Sequence, residues 1–105
     1  MLAVNKENFA TEVEQSVLPV AIDLWGPQCG PCLALMPDIE KLADEFAGKV
    51  KIVKLNVAEN RRLCIELKVM RVPTFLFFKG GKCLSRISGD EVNLASVMAG
   101  IESLL

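Results

Sequence analysis

The chain has 105 residues, of which 51% are hydrophobic, so it is long enough for one domain with a buried core (residues 1–105) and too short for two. Its 12 basic and 13 acidic residues give a formal net charge of -1, which argues against a surface for nucleic acids or anionic membranes. The N-terminus does not resemble a signal peptide, and no apolar run approaches the roughly 20 residues that cross a bilayer. We therefore expect a single cytosolic domain.

The first part of the chain predicts a short strand, a helix and a buried strand. Residues 2–4 are a short strand candidate, and Asn5 or Asn8 is a suitable cap for the helix that follows. The apolar face of that helix is predicted to consist of Phe9, Val13 and Val17. Residues 20–25, with the sequence VAIDLW, are too few for a helix and rich in branched side chains, which favours a buried strand.

Two cysteines follow this strand at the point where the chain is predicted to turn into a helix. The residues after the segment WGPQCGPC (25–32) show helical spacing of apolar side chains as far as Phe46. The free N–H groups and positive dipole end of a helix N-terminus favour the thiolate form of Cys29. Cys32 lies on the same face, close enough to form a disulfide with it. Pro31 fits the first turn, where its missing N–H is not needed.

The rest of the chain alternates between strand and helix signals. The long helix contains Pro37, which should kink it. Strands are predicted at residues 50–57, 72–78 and 83–87, the last two joined by a Gly-Gly hairpin turn. A short helix is predicted at 59–67, and the final helix should bury Leu94, Val97, Met98, Ile101 and Leu105. This order predicts an α/β protein with a mixed sheet and helices on both faces.

The four cysteines and the absence of histidine restrict the chemistry of the chain. In a reducing compartment cysteines are more often redox-active or metal-binding than structural. One alternative is a zinc site in which Cys64 and Cys83 complete a set of four ligands, although each lies in a separate regular element. The preferred interpretation is that both are inert small hydrophobes. A regulatory role for the Cys64 thiol is a further alternative.

Asp23 is the only acid in its apolar strand. A buried carboxyl has a raised pKa and can exchange a proton near neutral pH. Asp23 is therefore a candidate general base for Cys32, acting through a water molecule. The alternative is an acid at the edge of the sheet that faces solvent. Lys54 either tunes Asp23 by its charge or is a solvated surface lysine.

These residues, taken together, resemble the thioredoxin family over nearly the whole chain. The motif CGPC at residues 29–32 is identical to the redox centre of that family. Val72-Pro73 resembles its cis-proline loop, and Gly89 falls on the glycine of its substrate groove. Four further positions match family landmarks: Asp23, Trp25, Pro37 and Lys54.

The resemblance implies the thioredoxin fold, with a mixed sheet of four to five strands, and a protein-disulfide reductase. Cys29 would attack the client disulfide and Cys32 would resolve the mixed disulfide. The implied substrate-binding residues are Trp25, Gly30, Pro31, Val72, Pro73 and Gly89. A separate thioredoxin reductase would supply electrons for disulfide-containing client proteins. No cofactor or metal is expected, and the protein should be a monomer. The peptide bond before Pro73 is expected to be cis, against the trans preference of an isolated sequence.

Three residues depart from the family pattern. Gln28 stands where a second tryptophan is usual, Arg71 replaces a common glycine and adds charge at the rim of the docking surface, and Ala58 replaces a common aspartate. Gln28 suggests a narrower choice of reductase or substrate. Two other classes of function stay open from the sequence. One is an interaction module that holds a partner without turnover, and the other is a metal-binding protein.

Overall fold

A five-stranded mixed sheet forms the centre of the protein. A computed structural model describes residues 1–105, and its strands follow the order β1-β3-β2-β4-β5. They are β1 (Leu2–Ala3), β2 (Val20–Trp25), β3 (Lys51–Asn56), β4 (Thr74–Lys79) and β5 (Lys82–Ser88). β1, β3 and β2 run parallel, whereas β4 is antiparallel to β2 and β5 is antiparallel to β4. The predicted α/β class and the thioredoxin fold are confirmed.

Three α-helices accompany the sheet, namely α1 (Gly30–Glu45), α2 (Arg61–Glu66) and α3 (Leu94–Glu102). α1 continues through Pro37 as a single helix. Shorter helical turns are the π-helix Ala10–Glu14 and the 3-10 turns Val57–Glu59 and Gly89–Glu91. None of these helices combines the length and the apolar character needed to cross a bilayer.

Alternate residues of β2 face two separate apolar cores, because successive side chains of a strand point to opposite faces. Ile22 and Leu24 pack in the core that also contains Leu63 of α2. Ala21 packs in the core that α1 and α3 cover, together with Ile39 and other residues. The three phenylalanines of β4 are all buried, as predicted for a strand covered on both faces: Phe75, Phe77 and Phe78.

The first predicted helix is wrong in type and extent. It is a single π-helical segment that ends at Glu14, and Gln15 already leaves the helical backbone region. Phe9 and Val13 are buried as expected, but Val17 is 99% exposed. The side chain of Ser16 instead donates a hydrogen bond to the carbonyl of Leu18, in the loop that leads to β2. The helix therefore ends before Val17, and Val17 does not share the buried face of Phe9 and Val13.

Three other positions are more exposed than a core residue because they lie at the edge or the end of an element. Cys83 is exposed on β5, which is an edge strand with one neighbour. α3 ends at Glu102, so the predicted burial of Leu105 is wrong: it is 63% exposed, and Leu104 enters the core in its place. The predicted burial of Leu94 is also wrong, since Leu94 is 36% exposed at the start of α3.

Sheet register brings three distant loops to one edge of the sheet. β2 ends at Trp25, and the antiparallel β4 begins at Thr74, which pairs with Leu24. β5 ends beside the start of β4, where Ser88 pairs with Thr74. The loop after β2, the loop before β4 and the loop after β5 therefore meet at this edge, and they carry the predicted site residues.

Candidate active site

Cys29 and Cys32 form a disulfide across the first turn of α1, with their Cα atoms 5.3 Å apart. Cys29 is the N-cap of the helix, and its Sγ accepts a hydrogen bond from the N–H of Cys32 at 3.2 Å. Cys29 is half-buried, whereas Cys32 is only 2% exposed. A molecule arriving from solvent therefore meets the sulfur of Cys29 first. Exposed Gly30 and Pro31 leave the approach to that sulfur open.

Asp23 lies on the face of the sheet that α1 and α3 cover, and it is 2% exposed. The alternative of an acid facing solvent is therefore wrong. Burial away from water raises the pKa of Asp23 from 3.8 to about 7, and the charge of Lys54 opposes part of this rise. A carboxyl with this pKa can both accept and release a proton at neutral pH.

Lys54 is the neighbour of Asp23 on the adjacent strand. The two residues are paired in the register of β2 with β3, and Lys54 is half-buried. They form no ion pair, since the single ion pair of the structure joins Lys51 to Glu12. Lys54 therefore acts on Asp23 through space, which favours the tuning role over that of a freely solvated lysine.

The loop before β4 contains the expected cis peptide bond between Val72 and Pro73. The N–H of Gly89 donates to the carbonyl of Pro73 at 2.9 Å, and the Thr74 hydroxyl donates to the carbonyl of Arg71 at 2.7 Å. The N–H and carbonyl of Val72 take part in no backbone hydrogen bond within the chain. These two groups are available to an extended peptide that pairs with the loop.

Two grooves meet at Pro31 and Val72. The first has a volume of about 530 Å³ and is also lined by Pro73 and Gly89. The second has a volume of about 490 Å³ and is also lined by Cys29, as well as by Gly30 and Gln28. Five of the six predicted substrate-binding residues therefore line these grooves. Their arrangement forms an open channel that passes the sulfur of Cys29.

Trp25 is the predicted binding residue that lines neither groove. It is half-buried at the end of β2, as predicted. Its indole Nε1 is buried and has no hydrogen-bond partner. Ala58, which lines the second groove, offers no side-chain acceptor near this edge of the sheet. Trp25 therefore does not present its ring to either groove.

Sequence reasoning missed Asp90, Val92 and Asn93, which line the first groove beyond Gly89. Asp90 belongs to the 3-10 turn after β5, and Asn93 caps α3 by accepting a hydrogen bond from the N–H of Ser96. The sequence did contain a signal for these residues, namely the capping residues directly after Gly89. A capped turn that follows a groove residue must lie at the rim of the same groove.

Cys64 and Cys83 lie outside the site. Cys64 is buried in α2, and burial raises the pKa of its thiol, which is consistent with an inert side chain. Cys83 is exposed on β5. The structure contains no group of three or more histidine, cysteine, aspartate or glutamate side chains that could share a metal ion, so these cysteines do not join the motif in a four-ligand site.

Comparison with known proteins agrees with this geometry. The family model described as Thioredoxin matches residues 1–102. The chain is 41% identical over 85 residues to the thioredoxin of Haemophilus influenzae, a match that covers 81% of this chain and 79% of that protein. It is 33% identical to the thioredoxin of Acetoanaerobium sticklandii over 105 residues, the full length of both. It is also 38% identical over 103 residues to the chloroplastic M-type thioredoxin of Chlamydomonas reinhardtii, covering 98% of this chain and 73% of that protein.

The half-exposed sulfur of Cys29, bonded to the buried Cys32 at the tip of α1, is the arrangement that thiol–disulfide exchange requires. The matches extend over nearly all of the chain and include this motif. The chain belongs to the thioredoxin family and is a protein-disulfide oxidoreductase that exchanges electrons through Cys29 and Cys32.

Proposed function

We propose that the protein is a cytosolic reductase of disulfides in client proteins and that a thioredoxin reductase returns it to the dithiol form. Members of its family are generally reduced by such an enzyme and act on disulfide substrates. The observation that carries the proposal is the half-exposed Cys29 above the buried Cys32, beside the free backbone groups of Val72. A cytosolic location fits this role because thiols are kept reduced there.

Reduction of a client begins with the thiolate of Cys29. It attacks one client sulfur, the client disulfide breaks, and the second client sulfur leaves as a thiolate and takes up a proton. The thiol of Cys32 then loses its proton and attacks the Sγ of Cys29. The first client sulfur leaves and is protonated, and the Cys29–Cys32 disulfide remains. Two electrons have moved from the protein to the client.

Asp23 is the proposed general base for the second attack. Cys32 is buried and must lose a proton before it can act as a nucleophile. Asp23 is buried on the face that α1 covers, and its pKa of about 7 allows the carboxylate to accept this proton near neutral pH. Lys54 favours the charged form of Asp23 and so helps to keep the base ionised.

Clients are proposed to bind as extended segments along the two grooves. A segment that pairs with the N–H and carbonyl of Val72 is held by backbone hydrogen bonds, which tolerate many sequences. Pro31, Pro73 and Gly89 supply the adjoining walls. Gly30 borders the second groove beside Cys29. We propose that residues 1–105 act as one domain and as a monomer, without nucleic acid or a membrane as partner.

The proposal is tested by following insulin disulfide reduction with a thioredoxin reductase and its electron donor. The wild-type protein should support turnover, and Cys29→Ser should abolish it. Cys32→Ser should stop turnover after one attack, so the mixed disulfide with the client should accumulate and be detected by mass spectrometry. A wild-type rate equal to that of Cys29→Ser would instead favour an interaction module that keeps the fold without catalysis.

A further inference from the structure

Arg71 places a positive charge beside Gly89, which lines the first groove. Its side chain reaches across to Gly89, where a Cβ added to the glycine would lie 3.0 Å from the guanidinium carbon and 3.3 Å from two of its nitrogens. The guanidinium therefore packs directly against the backbone of Gly89. Gly89 lines the first groove, and Arg71 itself lines a smaller depression that borders the second groove at Val72. Arg71 thus lies next to residues of both grooves, namely Gly89 of the first and Val72 of the second.

The backbone on both sides of this contact is fixed. The carbonyl of Arg71 accepts a hydrogen bond from the Thr74 hydroxyl, and the N–H of Gly89 donates to the carbonyl of Pro73. The loop that carries Arg71 and the loop that carries Gly89 are therefore held together by the same short segment. The contact between the guanidinium and Gly89 therefore joins two segments whose backbones are anchored to each other.

The guanidinium of Arg71 has no partner within the chain. Arg71 is exposed, donates no side-chain hydrogen bond and forms no ion pair, since Lys51 and Glu12 make the only one. Arg86 provides the contrast, because its guanidinium donates to the carbonyls of Leu67 and Lys68. The fold uses the donors of Arg86 and leaves those of Arg71 available. Asp90, the acid nearest in sequence to Gly89, lines the groove but lies beyond ion-pair distance of Arg71.

We infer that Arg71 determines client specificity by favouring clients with a carboxylate within two residues of the cysteine that Cys29 attacks. This inference rests on the proposed function, because it requires a client segment that pairs with Val72 through its attacked cysteine, beside Cys29 in the second groove. Arg71 directly precedes Val72 in the loop, and an extended chain rises about 3.3 Å per residue. A glutamate or aspartate one or two positions from the paired residue therefore comes within reach of the guanidinium. The planar guanidinium binds a carboxylate through two parallel hydrogen bonds.

The inference is tested with three short peptides, each containing one cysteine and oxidised to its symmetric disulfide dimer. They differ only in the residues flanking the cysteine, which are glutamate, glutamine or lysine. Because the dimer is symmetric, Cys29 attacks the same sequence at either sulfur. The rate constant for reduction by the pre-reduced protein is divided by the rate constant for dithiothreitol, which corrects for the effect of the peptide charge on its own disulfide.

Wild-type protein should reduce the glutamate peptide about two- to fivefold faster than the glutamine peptide after this correction, the range expected for an exposed ion pair. The lysine peptide should be slower than the glutamine peptide. Arg71→Gln should bring the three corrected rates together, and Arg71→Glu should reverse their order. The wild-type preference should shrink at about 1 M salt, where charges are screened within about 3 Å.

Lys49→Glu is the matched control, since it changes the net charge by the same amount as Arg71→Glu. Lys49 is exposed between α1 and β3, at the opposite end of β3 from the site, and should leave the wild-type preference intact. Equal corrected rates for the three peptides with wild-type protein, or an unchanged preference in Arg71→Glu, would overturn the inference while the proposed function stands. Reduction no faster than that by Cys29→Ser would overturn both.

Discussion

Gln28 shows how one side chain can change partner choice without changing the fold. It is exposed and lines the second groove directly before Cys29. The thioredoxin pattern has a tryptophan here, whose large ring provides apolar contact area that an amide side chain does not. The fold does not depend on this position, because Gln28 contributes to neither apolar core. Its effect therefore belongs to recognition.

Gln28→Trp is expected to raise kcat/KM with an unrelated thioredoxin reductase about three- to tenfold, because about 1.4 kcal/mol of added contact corresponds to a factor of ten. The measurement is the steady-state rate of disulfide reduction at limiting reductase. Gln15→Trp is the control, since Gln15 is exposed between the π-helix and β2, at the end of β2 away from the site. A ratio near one for Gln28→Trp, or an equal gain in Gln15→Trp, would show that Gln28 does not restrict partner choice.

At the scale of elements, the β4–β5 hairpin is the part that sequence described best. Gly80 and Gly81 separate the paired residues Lys79 and Lys82, and both have positive φ, as a tight two-residue turn requires. The two glycines differ in their surroundings. A Cβ on Gly81 would lie 2.8 Å from the carbonyl oxygen of Glu14, whereas a Cβ on Gly80 would meet nothing within 4 Å. Of the two glycines, Gly81 is therefore the one that lies against the π-helix.

Gly80→Ala should lower the free energy of unfolding by about 1 kcal/mol, the cost of a left-handed backbone conformation with a side chain. Gly81→Ala should lower it by about 1–3 kcal/mol more, because the π-helix or the hairpin must shift. Urea unfolding of the two variants against wild type measures both values. Equal decreases in the free energy of unfolding of the two variants would mean that the structure around Gly81 and Glu14 adjusts to the added methyl group without destabilisation.

Helix ends were the elements that sequence described least well. The spacing of Phe9, Val13 and Val17 is helical, yet the helix stops before Val17 because the chain must turn into β2. Periodicity shows which residues share a face but not where a neighbouring element forces the helix to end. The same limit explains Cys83, since a strand pattern does not reveal that β5 has only one neighbour and an exposed face.

At the scale of the whole molecule, the positions of Cys29, Cys32 and Asp23 were predictable because each depends on one strand and the helix that follows it. The packing of Arg71 against Gly89 was not, because it depends on the pairing of β4 with β5. When two residues are brought together only by the register of the sheet, no local sequence pattern predicts their contact. The sequence therefore placed Arg71 at the rim of the docking surface, and the structure adds its contact with Gly89.

Asp23 connects the site to the stability of the entire protein. Its pKa rises from 3.8 in an unfolded chain to about 7 in the fold, so the folded state holds the proton more tightly. Between these two values unfolding releases a proton, and the free energy of unfolding therefore falls as the pH rises. Below about pH 4 the carboxyl is protonated in both states and has no such effect. Above about pH 7 the carboxyl is charged in both states, and its burial lowers the free energy of unfolding by a constant amount of about 4 kcal/mol.

Asp23→Asn removes this cost and should stabilise the protein, by about 2–3 kcal/mol more at pH 8 than at pH 5. Urea unfolding at the two pH values measures the difference, with Asp44→Asn, at an exposed position of α1, as the matched control. The Asp23→Asn variant should also slow release of the client from the mixed disulfide, because it removes the proposed proton acceptor of Cys32. A variant that is equally stabilised at both pH values would contradict the raised pKa. If the variant is stabilised as expected but releases the client at the wild-type rate, Asp23 does not act as the general base.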